Sequence, residues 1–168
     1  LCPLSLGCTY GLLTGPNGPT IRPHPRDTMS KIAIVYWSGT GNTEAMADLV
    51  AQGVRAKGSD ADLINATDFG PERLDEYDAY AFGCPAMGDE ELEDTEFLPM
   101  YDAVEPLLEG KRVALFGSYD WNDGEWMELW EQRAEEAGLV VVDSVIAKDY
   151  PDDDASADCM RLGSLIAQ

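Results

Sequence analysis

The chain has 168 residues, 45% of them hydrophobic, which suits one domain around a single core. Its formal charge of −21 repels nucleic acid and anionic membranes and favours partners with a positive patch. The four cysteines (Cys2, Cys8, Cys84, Cys159) form no C-x-x-C pair, and the one histidine is His24. No iron–sulfur, zinc or histidine-based site can be assembled in the main body, so redox chemistry here requires an organic cofactor.

Residues 1–28 are rich in Pro and Gly and show neither a period of 2 nor one of 3.6. They read as a disordered extension or a misplaced start, with Met29 offering a natural one. The apolar positions from Leu4 to Leu13 are broken by Gly7 and Gly11, unlike a secretory signal. No run approaches the roughly 18 apolar residues of a membrane span. The folded domain is expected over 29–168, in the cytoplasm.

From Lys31 the pattern alternates. A strand is predicted over 31–36, with Ile32, Ile34 and Val35. A helix over 43–57 follows, with Ala47, Val50, Ala51 and Val54 on one face. Strands are predicted over 61–65 and 79–83, with a loop between them. A helix over 95–108 presents Phe97, Met100, Tyr101, Val104 and Leu108 at helical spacing. A fourth strand over 112–119, a helix over 124–137, a fifth strand over 140–147 and a last helix over 153–166 complete the chain. Asp152, Asp153 and Asp154 sit at that last helix's positive end. This order implies an α/β fold, a parallel sheet covered by helices on both faces. Right-handed crossovers leave a few doubly wound arrangements, whose ligands bind at the carboxyl ends of the strands.

Three loops fall at that edge. The first is Ser38-Gly39-Thr40-Gly41-Asn42-Thr43, between strand one and helix one. Its glycines let backbone approach a ligand, its hydroxyls add donors, and the helix start adds N–H groups and a positive dipole end. The result is a phosphate cradle, although a polar turn with a capping Thr reads similarly. It is not a nucleotide-hydrolysing P-loop, because Gly-Lys-Ser/Thr is missing. Nor is it a dinucleotide loop, because Glu44 stands at the third glycine. No Lys or Arg lies between Lys31 and Arg55, so only neutral donors are at hand. The second loop is Gly83-Cys84-Pro85-Ala86-Met87-Gly88-Asp89-Glu90. The third is Phe116-Gly117-Ser118-Tyr119-Asp120-Trp121-Asn122-Asp123-Gly124. Met87 and Trp121 could face a planar ligand. Taken singly, each reads more readily as a core residue at a loop end.

Together, Tyr36-Trp37-Ser38-Gly39-Thr40-Gly41-Asn42-Thr43-Glu44 and the two later loops closely resemble the short-chain flavodoxins of anaerobic bacteria. The likeness runs from about residue 31 to the C-terminus and does not cover 1–28. It implies a flavodoxin-like, three-layered five-stranded sheet of order 2-1-3-4-5, the known arrangement of that family, with flavin mononucleotide (FMN) at the switch point. It further implies a non-enzymatic, low-potential carrier of single electrons, working as a monomer with redox proteins that offer basic patches.

The resemblance also assigns roles. Ser38, Gly39, Thr40, Gly41, Asn42 and Thr43 would hold the FMN phosphate. Met87 and Trp121 would lie against the two faces of the ring, with Ala86, Asp89, Ser118, Tyr119 and Asp120 around it. The peptide joining Gly88 to Asp89 would turn on reduction, so that the Gly88 carbonyl accepts from flavin N5–H and favours a neutral semiquinone. The Glu90 carboxylate would accept from N3–H. Pro85 and Asp120 depart from the family's small residues, and Asp120 brings a charge near the ring.

Cys84 invites a redox-thiol reading, but no basic residue nearby would lower its pKa, and a buried structural thiol fits better. Two rivals share the general fold. An FMN-dependent quinone or nitro-compound reductase would need a substrate pocket and usually a nicotinamide site. A phosphate-receiving signalling domain would need an aspartate where Gly83-Cys84 ends strand three, and Lys148 is its only partial match.

Overall fold

The structure, a computed structural model, describes residues 29–168; the reading of residues 1–28 as an extension lies outside them. Five parallel strands form one sheet: β1 (Lys31–Tyr36), β2 (Asp60–Asn65), β3 (Ala79–Gly83), β4 (Arg112–Tyr119) and β5 (Val140–Lys148). Their order is β2-β1-β3-β4-β5, as the resemblance implied. The chain leaves β1 toward β2 on one side and returns to β3 on the other, so the switch point lies between β1 and β3.

Strand residues alternate between faces. In β1, Ile32 and Ile34 join one buried cluster while Ala33 and Val35 join the other. Helices α1 (Asn42–Ala56) and α4 (Asp153–Ile166) cover the first face. They pack unusually close. A Cβ added to Gly53 would lie 2.0 Å from the Met160 carbonyl oxygen, and one on Gly163 2.0 Å from that of Val50. Asp152 caps α4, accepting from the Ala155 amide at 2.8 Å. Helices α2 (Phe97–Val104) and α3 (Glu125–Glu136) cover the second face with Phe97, Tyr101, Trp126 and Trp130.

The expected helix over 95–108 is shorter than its apolar spacing suggested. Its start is set by Glu93, whose carboxylate accepts from the amides of Thr95, Glu96 and Phe97 and from the Thr95 hydroxyl. Its end is set by Pro106, which lacks the N–H that an α-turn needs; the chain tightens into a 3-10 turn, Glu105–Leu107. Two further 3-10 turns, Ala66–Asp68 and Pro71–Glu76, occupy the stretch expected as loop. No helix among the described residues is long and apolar enough to cross a membrane.

Candidate functional site

At the carboxyl edge of β1, β3, β4 and β5 a cavity of about 260 Å³ opens. It is lined by Gly39, Thr40 and Asn42 from the first loop, Ala86 and Met87 from the second, and Ser118, Tyr119 and Asp120 from the third. The three segments singled out in the sequence therefore converge on one space.

The first loop is held from within. Gly41 is the N-cap of α1 at φ +90°, a conformation glycine adopts without steric cost. Its N–H donates to Ser38 Oγ at 3.0 Å. No side chain of the cap residue accepts from the first turn of α1, which leaves that positive helix end suited to an anion. Thr43 is buried, and its Oγ1 lies 2.9 Å from Ser118 Oγ, a hydrogen bond joining the first loop to β4 across 75 residues.

The second loop hangs on β4. The Cys84 and Ala86 amides donate to the carbonyls of Phe116 and Ser118 at 3.1 and 2.9 Å. Gly117 makes this approach possible, since a Cβ there would stand 2.1 Å from the Cys84 carbonyl oxygen. Beyond it, Met87 and Glu91 exchange amide–carbonyl bonds of 2.8 and 2.9 Å, closing a hairpin over Gly88, Asp89 and Glu90. Gly88 sits at φ +50° and Glu90 at +65°. The Glu90 side chain reaches away from the hairpin: its Oε2 accepts from the Trp126 amide of α3 at 2.7 Å.

The remaining expected residues stand around the cavity without lining it. Ser38, Gly41 and Thr43 form the back of the first loop; Gly88, Asp89 and Glu90 form the hairpin tip. Trp121 stands in the loop after β4, 59% exposed. Met87, which does line the cavity, is also partly exposed.

Sequence reasoning missed three lining residues: Trp37, Pro85 and Asp149. The Trp37 ring lies over Gly39, 2.9 Å from where a Cβ would be, which explains the glycine there. Its indole N–H donates to Glu96 Oε2 at 2.7 Å, tying the first loop to the start of α2. Asp149, at φ +56°, follows β5 at the same sheet edge and donates its amide to the Tyr119 carbonyl at 2.7 Å. Topology alone pointed to that position, since β5 ends at the same edge.

Among the described residues no lysine or arginine lines the cavity, whereas Asp120 and Asp149 do. Nearby, the Tyr36 hydroxyl pKa is raised by burial and then by the charges of Glu44 and Asp48. Cys84 is fully buried; burial pushes its thiol up to about 12, and its sulfur accepts from the Glu93 amide at 3.3 Å. That environment is structural, not redox-active. No group of three or more His, Cys, Asp or Glu among the described residues could hold a metal ion.

Comparison with known proteins fits this geometry. The flavodoxin family model matches residues 34–163. The flavodoxin of Megasphaera elsdenii is 44% identical over 137 residues, covering 82% of this chain and 98% of its own. That of Clostridium beijerinckii is 46% identical over 134 residues, covering 80% and 97%. The solution structure of two-electron reduced Megasphaera elsdenii flavodoxin superimposes with a TM-score of 0.76 at 44% identity, covering 81% of this chain and 98% of that one. The chain belongs to the flavodoxin family, FMN-binding electron-transfer proteins rather than enzymes. The reductase reading is not favoured.

Proposed function

We propose that this chain carries single electrons at low potential, on FMN held in the cavity between the three loops. The observation that carries this reading is the cradle at the start of α1, free of lysine and arginine among the described residues and opening into a cavity flanked by the Met87 hairpin. The donor set fits a phosphate bound by neutral groups: hydroxyls of Ser38, Thr40 and Thr43, the Asn42 amide, and main-chain N–H groups around Gly39 and Gly41.

When bound, FMN supplies one-electron transfer, and the protein contributes position and electrostatics. Met87 and Trp121 would flank the ring, with Ala86, Asp89, Ser118, Tyr119 and Asp120 around it. The Gly88 carbonyl would accept a hydrogen bond from flavin N5–H, and the peptide can turn there because Gly88, at positive φ, carries no Cβ. Trp126 engages Oε2 of Glu90, so Oε1 would be the acceptor for N3–H.

The carboxylates of Asp120 and Asp149 at the cavity, with no lysine or arginine lining it among the described residues, disfavour added negative charge. One unit charge ~10 Å away in a water-like medium contributes roughly 0.4 kcal/mol, less with salt. Several together support a low potential. The same acidic surface suits redox partners with basic patches. A cytoplasmic monomer is the form we assign; the free thiols of Cys84 and Cys159 suit a reducing compartment.

Purified protein should be yellow, and acid release followed by mass analysis should give one FMN per chain. Release of FAD, or of no flavin, overturns the reading.

A further inference from the structure

The hairpin 87–91 has a second side. Between it and α3 lies a groove of about 300 Å³ that shares no lining residue with the cavity described above. Leu92, Leu98 and Leu129 line it together with the indoles of Trp126 and Trp130. The two tryptophans are 2% exposed, whereas Leu129 is 54% exposed although it stands over an apolar space. Glu90, Glu91 and Asp94 lie at its edge.

Charge narrows what this groove can take. Among the described residues its one lysine or arginine, Arg133, is already committed: it donates to Asp102 at 2.6 Å and to Glu105 at 3.0 Å, and stands 5.0 Å over the Tyr101 ring. No ion pair among the described residues holds Glu91 or Asp94. An occupant with an apolar side chain for the leucines and tryptophans and positive charge beside the edge matches both features of the groove. A neutral apolar ligand forgoes the attraction of the edge carboxylates, and a plain polycation leaves the apolar walls wet.

We propose that this groove docks a basic, apolar-tipped segment of the protein that exchanges electrons with this one. The proposal rests on the electron-carrier reading and adds the place and chemistry of contact. The proposed flavin cavity takes Pro85–Met87 into its lining and the groove takes Glu90–Leu92, two ends of one hairpin, so a partner anchored in the groove lies close to the electron's proposed exit. The Glu90 carboxylate ties the hairpin to the groove, accepting from the Trp126 amide of α3. The net charge of −21 brings a basic partner close, and the apolar anchor sets its register.

The test uses the full-length, FMN-loaded protein and two peptides of equal charge. One is acetyl-Lys-Leu-Phe-Lys-amide; in the other, serine replaces Leu and Phe. Backbone amide NMR should show the first peptide moving the signals of Leu92, Leu98, Trp126 and Leu129. It should bind about tenfold tighter than the serine peptide, the scale of one apolar side chain leaving water. Leu129→Ser, at an exposed position, should bring the two affinities together. Equal affinities in the parent, or shifts confined to other surfaces, overturn the docking site. If that happens in protein that still holds FMN and cycles with dithionite, the electron-carrier reading stands and only the groove falls. Protein that binds no FMN overturns both.

Discussion

On one face of the sheet, α1 and α4 meet backbone to backbone through Gly53 and Gly163. On the other, Phe97, Tyr101 and Trp130 meet as rings, with centroids 5.5–5.9 Å apart, and the indole N–H groups of Trp126 and Trp130 are buried without a partner among the described residues. The glycine face has no slack, because its closest neighbours are main-chain atoms that cannot swing aside. The ring face is larger in its parts and less completely satisfied, and it carries the acidic-edged groove. The loops divide accordingly. The proposed phosphate loop leads into α1 on the tight face, while the loops bearing Met87 and Trp121 lead toward α2 and α3. The part that must keep its shape is thus built on the dense layer. The loops proposed to flank the ring and meet partners are built on the aromatic one.

Substitutions can break this contrast. The largest effect is expected from Gly53→Val. Even its first carbon collides with the Met160 carbonyl, so overpacking should cost ~3 kcal/mol or more. Urea unfolding should show a lower midpoint at an unchanged slope; an unchanged midpoint would mean that α1 and α4 slide freely.

Next comes Glu93→Ala on the ring face, which removes the acceptor of three amides and should cost about 2 kcal/mol. This group also gives a pH signature. Burial pushes the Glu93 carboxyl up, but hydrogen bonds from the Thr95 side chain and the amides of Phe97, Glu96 and Thr95 outweigh it and hold the pKa below the ordinary value. A lowered folded-state pKa means stabilisation that is full above the unfolded value and lost as pH falls through the folded one. Glu93→Gln should flatten the acid limb of stability in that window. An unaltered acid limb would place the titration elsewhere.

Trp121→Ala should weaken FMN binding by ~1–3 kcal/mol, judged from stacking on flat bases. Phosphate contacts in the first loop should survive. Titration of apoprotein with FMN checks it, and an unchanged dissociation constant would remove Trp121 from the ring's environment.

Gly88→Thr should leave FMN binding in place but lower the first reduction potential. A β-branched residue resists positive φ by ~1–3 kcal/mol, and ~1.4 kcal/mol corresponds to ~59 mV for one electron. A redox titration decides it; an unmoved potential would locate the switch outside this hairpin.

The smallest expected effect is none at all. Cys84, fully buried with its thiol pushed up to about 12, should stay unreactive toward a thiol reagent at neutral pH until the protein unfolds. Rapid labelling at Cys84 itself, located by peptide mass analysis of the native protein, would show an opening of the second loop that this geometry lacks.

Much of this architecture was legible in the residues themselves. The strands showed because Ile32, Ala33, Ile34 and Val35 form an apolar run that only a sheet covered on both faces can bury. The loops showed because their glycines, hydroxyls and large side chains are contiguous. What stayed hidden is non-local. Glu90 meets Trp126 across 36 residues, Trp37 meets Glu96 across 59, and Thr43 meets Ser118 across 75. No spacing rule joins such pairs. The length of α2 was misjudged for a related reason. Apolar spacing continued through Leu108, but a carboxylate upstream and a proline downstream decided where helical hydrogen bonding could begin and end.

The Thr43–Ser118 contact has a consequence in counting hydrogens. Two hydroxyls carry two hydrogens, and the bond between them uses one. Whichever oxygen donates, the other keeps a hydrogen free to rotate. The back of the first loop therefore holds one spare donor that can be offered from either oxygen by a concerted turn of both hydroxyls, with no change of protonation. An anion in the proposed cradle would be met by rotation of a hydroxyl, where a lysine would impose a fixed positive charge.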